Sequence, residues 1–371
     1  MHFGSMGRNV PNPINIVAAL PSLVPFVGPE ALERQAGRPF CLRLGANESL
    51  FGASPRAIEA MQQAVATGHL YGDPEGYDLR AALAQRHNVD IENVGLGAGI
   101  DDLLLQIGIA FIAPGDAVAT SLGGYPTFDY VIAGRGGVIE QVPYLPSCRV
   151  DLRSLAEAAH RVEAKLVYLA NPDNPSGSFY NSAAIGEFRA AIPGESLLLL
   201  DEAYADFADD HYLPSVEDSG VVRLSTFSKA HGMAGLRIGY MIGPAEHAAT
   251  LNKVRLHFGI NSVAQAGALA SLQDEAWIAS VVRQTKQGRE LLEDGAARLG
   301  IRSLESHTNF VCLDLGSRER AESVLLLLRE QGVFVRKPAA RPLDQYIRVT
   351  IAQESIMRGF LQCLDEAVRR Q

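Results

Sequence analysis

The run Ser225-Thr226-Phe227-Ser228-Lys229-Ala230-His231-Gly232-Met233-Ala234-Gly235-Leu236-Arg237-Ile238-Gly239-Tyr240 sets the terms for the rest of the chain. A lysine beside small hydroxyl residues, followed by a glycine-rich turn and an arginine, suits a buried amine that forms a Schiff base next to a phosphate. Thr226 and Ser228 supply hydroxyl hydrogen bonds to such a phosphate, and Arg237 a planar two-pronged donor. Taken alone, Lys229 also reads as an ordinary surface lysine, because lysines are seldom buried. Apolar residues at 221–225 and 237–242 predict strands on either side, so the lysine sits in a loop between them.

Working outward, short apolar runs alternate with amphipathic stretches. Strands are expected at 94–97, 116–121, 138–142, 166–170 and 196–200, with helices at 55–67, 78–88, 100–111, 126–134, 151–160 and 181–191. Such alternation predicts an α/β fold around a mostly parallel sheet covered on both faces. Ligands of these sheets sit at the carboxyl ends of the strands. Gly99 and Ile100, Tyr125, Asn174, Asp201 and Lys229 each closely follow a predicted strand, which points to one shared site. The turn at Gly99 opens a helix, and the free amides of a helix start favour an anion. Beyond residue 244, helices at 246–258, 261–272 and 274–299 lead to strands at 308–313, 334–336 and 346–349, with helices at 321–331 and 355–370. The expected organisation is an N-terminal arm (1–45) packing with the smaller part, a large α/β domain (46–258) and a smaller α+β domain (259–371).

The bulk properties exclude several classes. The chain has 371 residues, 47% of them hydrophobic and 20% charged, ordinary for a globular protein with a large core. Its formal net charge of −9 argues against nucleic-acid or anionic-membrane partners, which need a basic face. The four cysteines, Cys41, Cys148, Cys312 and Cys363, are widely spaced, so neither a disulfide framework nor a zinc site is expected, and reduced thiols in a cytoplasm are the simplest account. The histidines lack metal-binding spacing, so no metal is expected. No apolar stretch approaches the ~18 residues that a membrane span needs.

Asp201-Glu202-Ala203-Tyr204 follows a wholly apolar strand, placing a carboxylate at the mouth of the sheet. A charge there needs a partner, and a protonated pyridine nitrogen is one; a helix cap is the plainer alternative. Asn171-Pro172-Asp173-Asn174-Pro175-Ser176-Gly177 also reads as a turn-rich loop, and Tyr125 as core packing. Together with Asn47-Glu48, Tyr71-Gly72-Asp73-Pro74, Gly99-Ile100-Asp101-Asp102, Gly124-Tyr125-Pro126, Thr308-Asn309-Phe310 and Ile347-Arg348-Val349-Thr350, these stretches resemble the fold-type I pyridoxal-phosphate aminotransferases. The resemblance is to the class II group that includes histidinol-phosphate aminotransferase.

That resemblance implies the aspartate aminotransferase-like fold, pyridoxal 5'-phosphate as cofactor, and a small-molecule amino donor with a 2-oxo acid, namely 2-oxoglutarate, as acceptor. It implies that Lys229 holds the cofactor and moves the substrate proton, that Asp201 keeps the ring nitrogen protonated, and that Asn174 and Tyr204 bond the ring's 3-oxygen. It further implies that Tyr125 stacks on the ring. The phosphate would be held by the Ile100 and Asp101 amides after Gly99, by Thr226, Ser228 and Arg237, and by Tyr71 of a second subunit in a homodimer with shared sites. Arg348 and Arg336 become the substrate's anion receptors, with Asn47 and Phe26 beside them; a surface ion pair is the alternative for Arg348. Phe26 stands where histidinol-phosphate enzymes usually carry a tyrosine. It cannot donate to a phosphate, which opens an aromatic amino-acid aminotransferase as the alternative. A phosphothreonine-type decarboxylase would also use paired arginines. A transcription regulator with a cofactor-like domain would need a basic helix-turn-helix that this acidic chain lacks, and a serine hydrolase would need an S-x-x-K spacing absent around Lys229.

Overall fold

Leu166–Ala170 and Leu197–Asp201 are buried at every position, as strands covered on both faces must be. Their side chains alternate. Val167, Leu169, Leu198 and Leu200 pack on one side with Leu155, Ile185 and Phe188, while Leu166, Tyr168 and Leu199 pack on the other with Leu103, Ile107 and Phe128. The computed structural model describes residues 11–21, 27–216 and 220–371. Its strands are β1 (Leu42–Arg43), β2 (Val94–Gly97), β3 (Ala117–Ser121), β4 (Val138–Val142), β5 (Leu166–Ala170), β6 (Leu197–Asp201), β7 (Val221–Thr226), β8 (Gly239–Ile242), β9 (Arg302–Ser303), β10 (Phe310–Asp314), β11 (Val333–Phe334) and β12 (Tyr346–Thr350).

The main sheet runs β2-β8-β7-β6-β5-β3-β4. Every neighbouring pair is parallel except those of β8, which is antiparallel to both β2 and β7. The α/β fold with a mostly parallel central sheet is therefore as expected. Because β7 and β8 are antiparallel, the loop between them returns at one end of the sheet, and that loop carries Lys229.

The smaller body holds the antiparallel sheet β12-β10-β9 and the parallel pair β1-β11. Leu44 joins them, its N–H donating to Phe334 O and its carbonyl accepting from Thr350 N. Helix Glu275–Arg298 spans the two bodies. Ile278 and Val281 pack with Tyr204 and Phe207, and Leu292 and Ala296 with Leu313 and Val349. Helix Ser262–Leu272 falls within 259–371 by sequence, yet its Ala264 and Ala268 pack with Leu79, Leu83, Phe227 and Ile238 of the larger body.

Several boundaries differ from expectation. The helix expected over 246–258 is Ala245–Asn252, because Leu256 and Phe258 beyond it face solvent and Arg255 reaches away to Pro74 O (2.7 Å). The strand expected at 334–336 is only Val333–Phe334; Arg336 adds an isolated bridge to Arg348. Helix Pro55–Val65 starts as expected, with Ser54 Oγ accepting from Ala57 N (3.2 Å). Among the described residues no helix is long and apolar enough to cross a membrane.

Candidate active site

A cavity of about 610 Å³ opens at the carboxyl ends of β5, β6 and β7 and is closed on its far side by β12 and the segment 336–339. Of the residues singled out from the sequence, Asn47, Ile100, Asp101, Tyr125, Asn174, Asp201, Tyr204, Thr226, Ser228, Lys229, Arg237, Arg336 and Arg348 all line it. Gly99 sits directly behind the Ile100 amide. Phe26 lies outside the described residues.

Lys229 is delivered by the turn after β7, which closes through Phe227 N to Ile238 O (3.1 Å) and Met233 N to Phe227 O (2.9 Å). Its Nζ donates to Asn47 O (3.2 Å) and lies 5.4 Å from the Tyr204 ring centre. Asp201 ends β6 at 4% exposure. Its Oδ1 accepts from Ala203 N (2.9 Å), so the capping contact does form, while Oδ2 accepts from Tyr168 OH (2.6 Å). Burial raises the Asp201 carboxyl to about 6, with the Tyr168 hydrogen bond pulling the other way.

An anion cradle forms on one side. Gly99 has φ +85°, and a Cβ there would stand 2.5 Å from Arg237 Nη2, so glycine both allows the turn and admits the guanidinium. Helix Ile100–Phe111 starts at that turn, and its first two residues line the cavity. Thr226 Oγ1 accepts from Ser228 N (3.1 Å), and Arg237 Nη1 donates to Ser228 Oγ (3.4 Å). Two hydroxyls, one guanidinium and a helix start therefore converge. With an amine and a buried carboxylate in the same cavity, this donor set fits pyridoxal 5'-phosphate. Tyr125 OH donates to Asp101 Oδ1 (2.7 Å), and burial, then Asp101, push its phenol well above the usual range.

On the opposite side Arg348 is fixed at both ends of its fork. Nη1 donates to Asn174 Oδ1 and Nη2 to Gly45 O (3.2 Å), with the guanidinium carbon 5.1 Å from the Phe310 ring centre. It is therefore built into the wall, not paired on the surface. Arg336 stands beside it through the backbone bonds Arg336 N to Arg348 O (3.3 Å) and Arg348 N to Arg336 O (2.6 Å).

Asn47 and Tyr71 take the following places. Asn47 lines the cavity, but its amide serves the protein: Nδ2 donates to Tyr204 OH (2.9 Å) and Oδ1 accepts from Thr350 Oγ1 (3.3 Å). Its backbone takes the left-handed region at φ 56°. Tyr71 stands outside this chain's cavity, 84% exposed, its ring 4.5 Å from Phe258.

Tyr168, Lys337 and Gly123 are among the cavity residues that sequence reasoning missed. Tyr168 was the one polar tip in an apolar strand, a signal present but unread. Lys337 donates to Asp344 O (3.2 Å), and nothing in its sequence neighbourhood marks it. Gly123 has φ +84°, and a Cβ there would overlap the Ala340 methyl, so the segment around Ala340 presses directly on the turn after β3.

Residues 40–358 match the family model described as aminotransferase class I and II. Histidinol-phosphate aminotransferase 2 of Carboxydothermus hydrogenoformans is 34% identical over 342 residues, covering 90% of this chain and 93% of that protein. The protein of the same name in Pseudomonas aeruginosa is 35% identical over 335 residues, covering 88% and 89%. The crystal structure of histidinol-phosphate aminotransferase from Sinorhizobium meliloti in complex with pyridoxal-5'-phosphate superposes with a TM-score of 0.92 at 40% identity, covering 99% of both chains. Aspartate aminotransferase of Thermus thermophilus shares the fold, with a TM-score of 0.81 at 22% identity.

Proposed function

The chain belongs to the class I and II aminotransferases and is a pyridoxal-phosphate-dependent transaminase, and from that premise we propose that its amino donor is histidinol phosphate and its acceptor 2-oxoglutarate. The observation that carries the substrate reading is the bridged pair Arg336 and Arg348 lining the same cavity as Lys229. Two adjacent guanidinium groups suit an anionic donor and a dicarboxylic acceptor in turn.

Bound in this cavity, the cofactor supplies a protonated ring that accepts the electron pair released when the substrate's α-proton leaves. Lys229 Nζ takes that proton from the α-carbon. Asn47 O, 3.2 Å from Nζ, holds the amine on the Tyr204 side of the cavity until then. Asp201, at the end of its strand in the cavity, would keep a proton on the ring nitrogen. Tyr204 OH accepts from Asn47 Nδ2, which leaves its own proton free to point into the cavity toward the ring's 3-oxygen. Asn174 behaves similarly: its Oδ1 is taken by Arg348, which turns Nδ2 inward. Tyr125 would cover one face of the ring and exclude water from it. The Ile100 and Asp101 amides, with Thr226, Ser228 and Arg237, would hold the phosphate.

The working form in this reading is a homodimer. Leu70, Tyr71, Tyr77, Leu256 and Phe258 are all more than half exposed, an apolar surface that a second copy would cover. Tyr71 would then complete the phosphate site of the partner.

The test is the half-reaction. Cofactor-loaded protein is mixed separately with histidinol phosphate, phenylalanine, tyrosine, glutamate and histidine, and loss of the visible absorbance is followed. Conversion by histidinol phosphate at least tenfold faster than by phenylalanine or tyrosine is the expected result. The reverse order would make the enzyme an aromatic amino-acid aminotransferase with Phe26 as an apolar wall. Arg348→Lys is expected to raise KM for both donor and acceptor by about 10- to 100-fold, the scale of one lost charged hydrogen bond, with a smaller change in kcat. A lysine cannot hold Asn174 and Gly45 while also gripping a carboxylate. Steady-state kinetics with each substrate varied in turn checks this.

A further inference from the structure

We propose that Tyr168 is a positioning residue for the reaction: by donating its phenol proton to Asp201 Oδ2 it fixes the plane of that carboxylate and leaves its remaining lone pairs facing the cavity. The inference rests on the reading that Asp201 meets the cofactor's ring nitrogen.

The geometry follows from the sheet register. Ala170 on β5 pairs with Asp201 on β6, and Tyr168 is two residues back on the same face, the diagonal distance at which a long side chain reaches its neighbour. The hydroxyl arrives 2.6 Å from Oδ2, while Ala203 N holds Oδ1 at 2.9 Å. Each carboxylate oxygen thus has one protein donor, and rotation about the side-chain bond would break one of them. The phenol cannot follow such a rotation. Its ring stacks on Phe128 at 4.6 Å and 15°, and Tyr168 is 2% exposed.

The direction of the proton is also set. Burial, then the neighbouring Asp201 carboxylate, hold the phenol well above its usual range, so Tyr168 keeps its proton and acts as donor. The charged and titratable groups around the pair are Asp101 and Lys229, acting on Asp201, and Tyr125 and Asp173, acting on Tyr168. Glu202 points away to Arg223 (2.8 Å). A carboxylate held this way presents a fixed acceptor to a ring nitrogen without reorganising when charge develops.

Cofactor-free wild type, Tyr168→Phe, Asp201→Asn and the double variant are titrated with pyridoxal 5'-phosphate, reading dissociation constants from absorbance and checking folding by thermal midpoints. Tyr168→Phe removes one oxygen and no packing volume, so it is expected to fold. It should bind cofactor roughly tenfold more weakly, the scale of one hydrogen bond to a charged group. In the Asp201→Asn background the same change should cost no more than about twofold, since the two residues act as one unit. The pH at which the bound cofactor's visible band changes should also move upward in Tyr168→Phe, because a less firmly protonated ring withdraws less from its link to Lys229. Wild-type affinity and pH profile in Tyr168→Phe, beside weakened binding in Asp201→Asn, overturns the proposal and leaves the Asp201 reading intact. An equal loss in both backgrounds also overturns it, since Tyr168 would then only pack. Unchanged binding and pH profile in Asp201→Asn itself would remove the Asp201 reading, and the proposal with it.

Discussion

Lys229→Ala is expected to leave a folded protein whose transamination rate is at least ~10²–10⁴-fold lower, the range for a removed general base, and whose visible cofactor band is lost. The fold survives because the amine is not holding it together. Lys229 sits on a turn closed by backbone bonds between Phe227, Ile238 and Met233, and among the described residues its amine donates to Asn47 O alone. That carbonyl keeps a second donor, Asn309 Nδ2 at 3.0 Å, when the lysine goes. The stability of the cofactor-free protein should therefore stay within about 0.5 kcal/mol of wild type, the range of an ordinary surface substitution. Activity does not survive, because no other amine in the described cavity is placed to take the α-proton. Lys337 also lines it, but donates to Asp344 O and lies 3.5 Å from Glu322. Spectroscopy of the purified variant with added cofactor, together with single-turnover kinetics, checks both halves. Retention of the band and of wild-type turnover would remove Lys229 from the chemistry.

The sequence exposed this site well because it is built at strand ends. Each strand announces itself as a short apolar run, and the polar residues at its end and in the turn after it lie near the carboxyl edge, where Asn174, Asp201 and Lys229 line one cavity. The helix start at Ile100 was legible for a similar local reason, a glycine with left-handed backbone ahead of an apolar helix. What could not be read depends on pairings far apart in the chain. The order β2-β8-β7-β6-β5-β3-β4, the reversal of β8 and the pairing of Leu42–Arg43 with Val333–Phe334 are set by which apolar faces find each other. The same is true of Asn47. The resemblance placed it beside the substrate, but its bonds to Tyr204 and Thr350 come from residues more than 150 positions away. Helix Ser262–Leu272 shows the limit of boundaries drawn by sequence order, since Ala264 and Ala268 bury themselves in the larger body.

Asp201→Asn is expected to separate stability from function in opposite directions. A neutral amide can still accept from Ala203 N through its oxygen, so the turn after β6 keeps its closure. It cannot balance a positive ring nitrogen, and without that charge the ring accepts electrons poorly. On the scale of losing one preorganised electrostatic partner, kcat should fall by on the order of 10²–10³-fold. Stability of the cofactor-free protein should move the other way above pH 6. Burial raises the Asp201 carboxyl from its ordinary 3.8 to about 6, against the pull of Tyr168 OH. A carboxyl raised on folding binds its proton more tightly in the folded state, so its stabilising contribution is complete below 3.8 and is lost as pH rises through 6. Over that window the wild-type protein forfeits on the order of 2–3 kcal/mol through this one group. The asparagine variant has no proton to lose there. Denaturant melts of both cofactor-free proteins between pH 4 and pH 7 should show the wild type declining more steeply, with the variant the more stable of the two at pH 7. Parallel pH profiles would mean that Asp201 does not titrate in that window. An unchanged kcat beside them would remove it from the reaction as well.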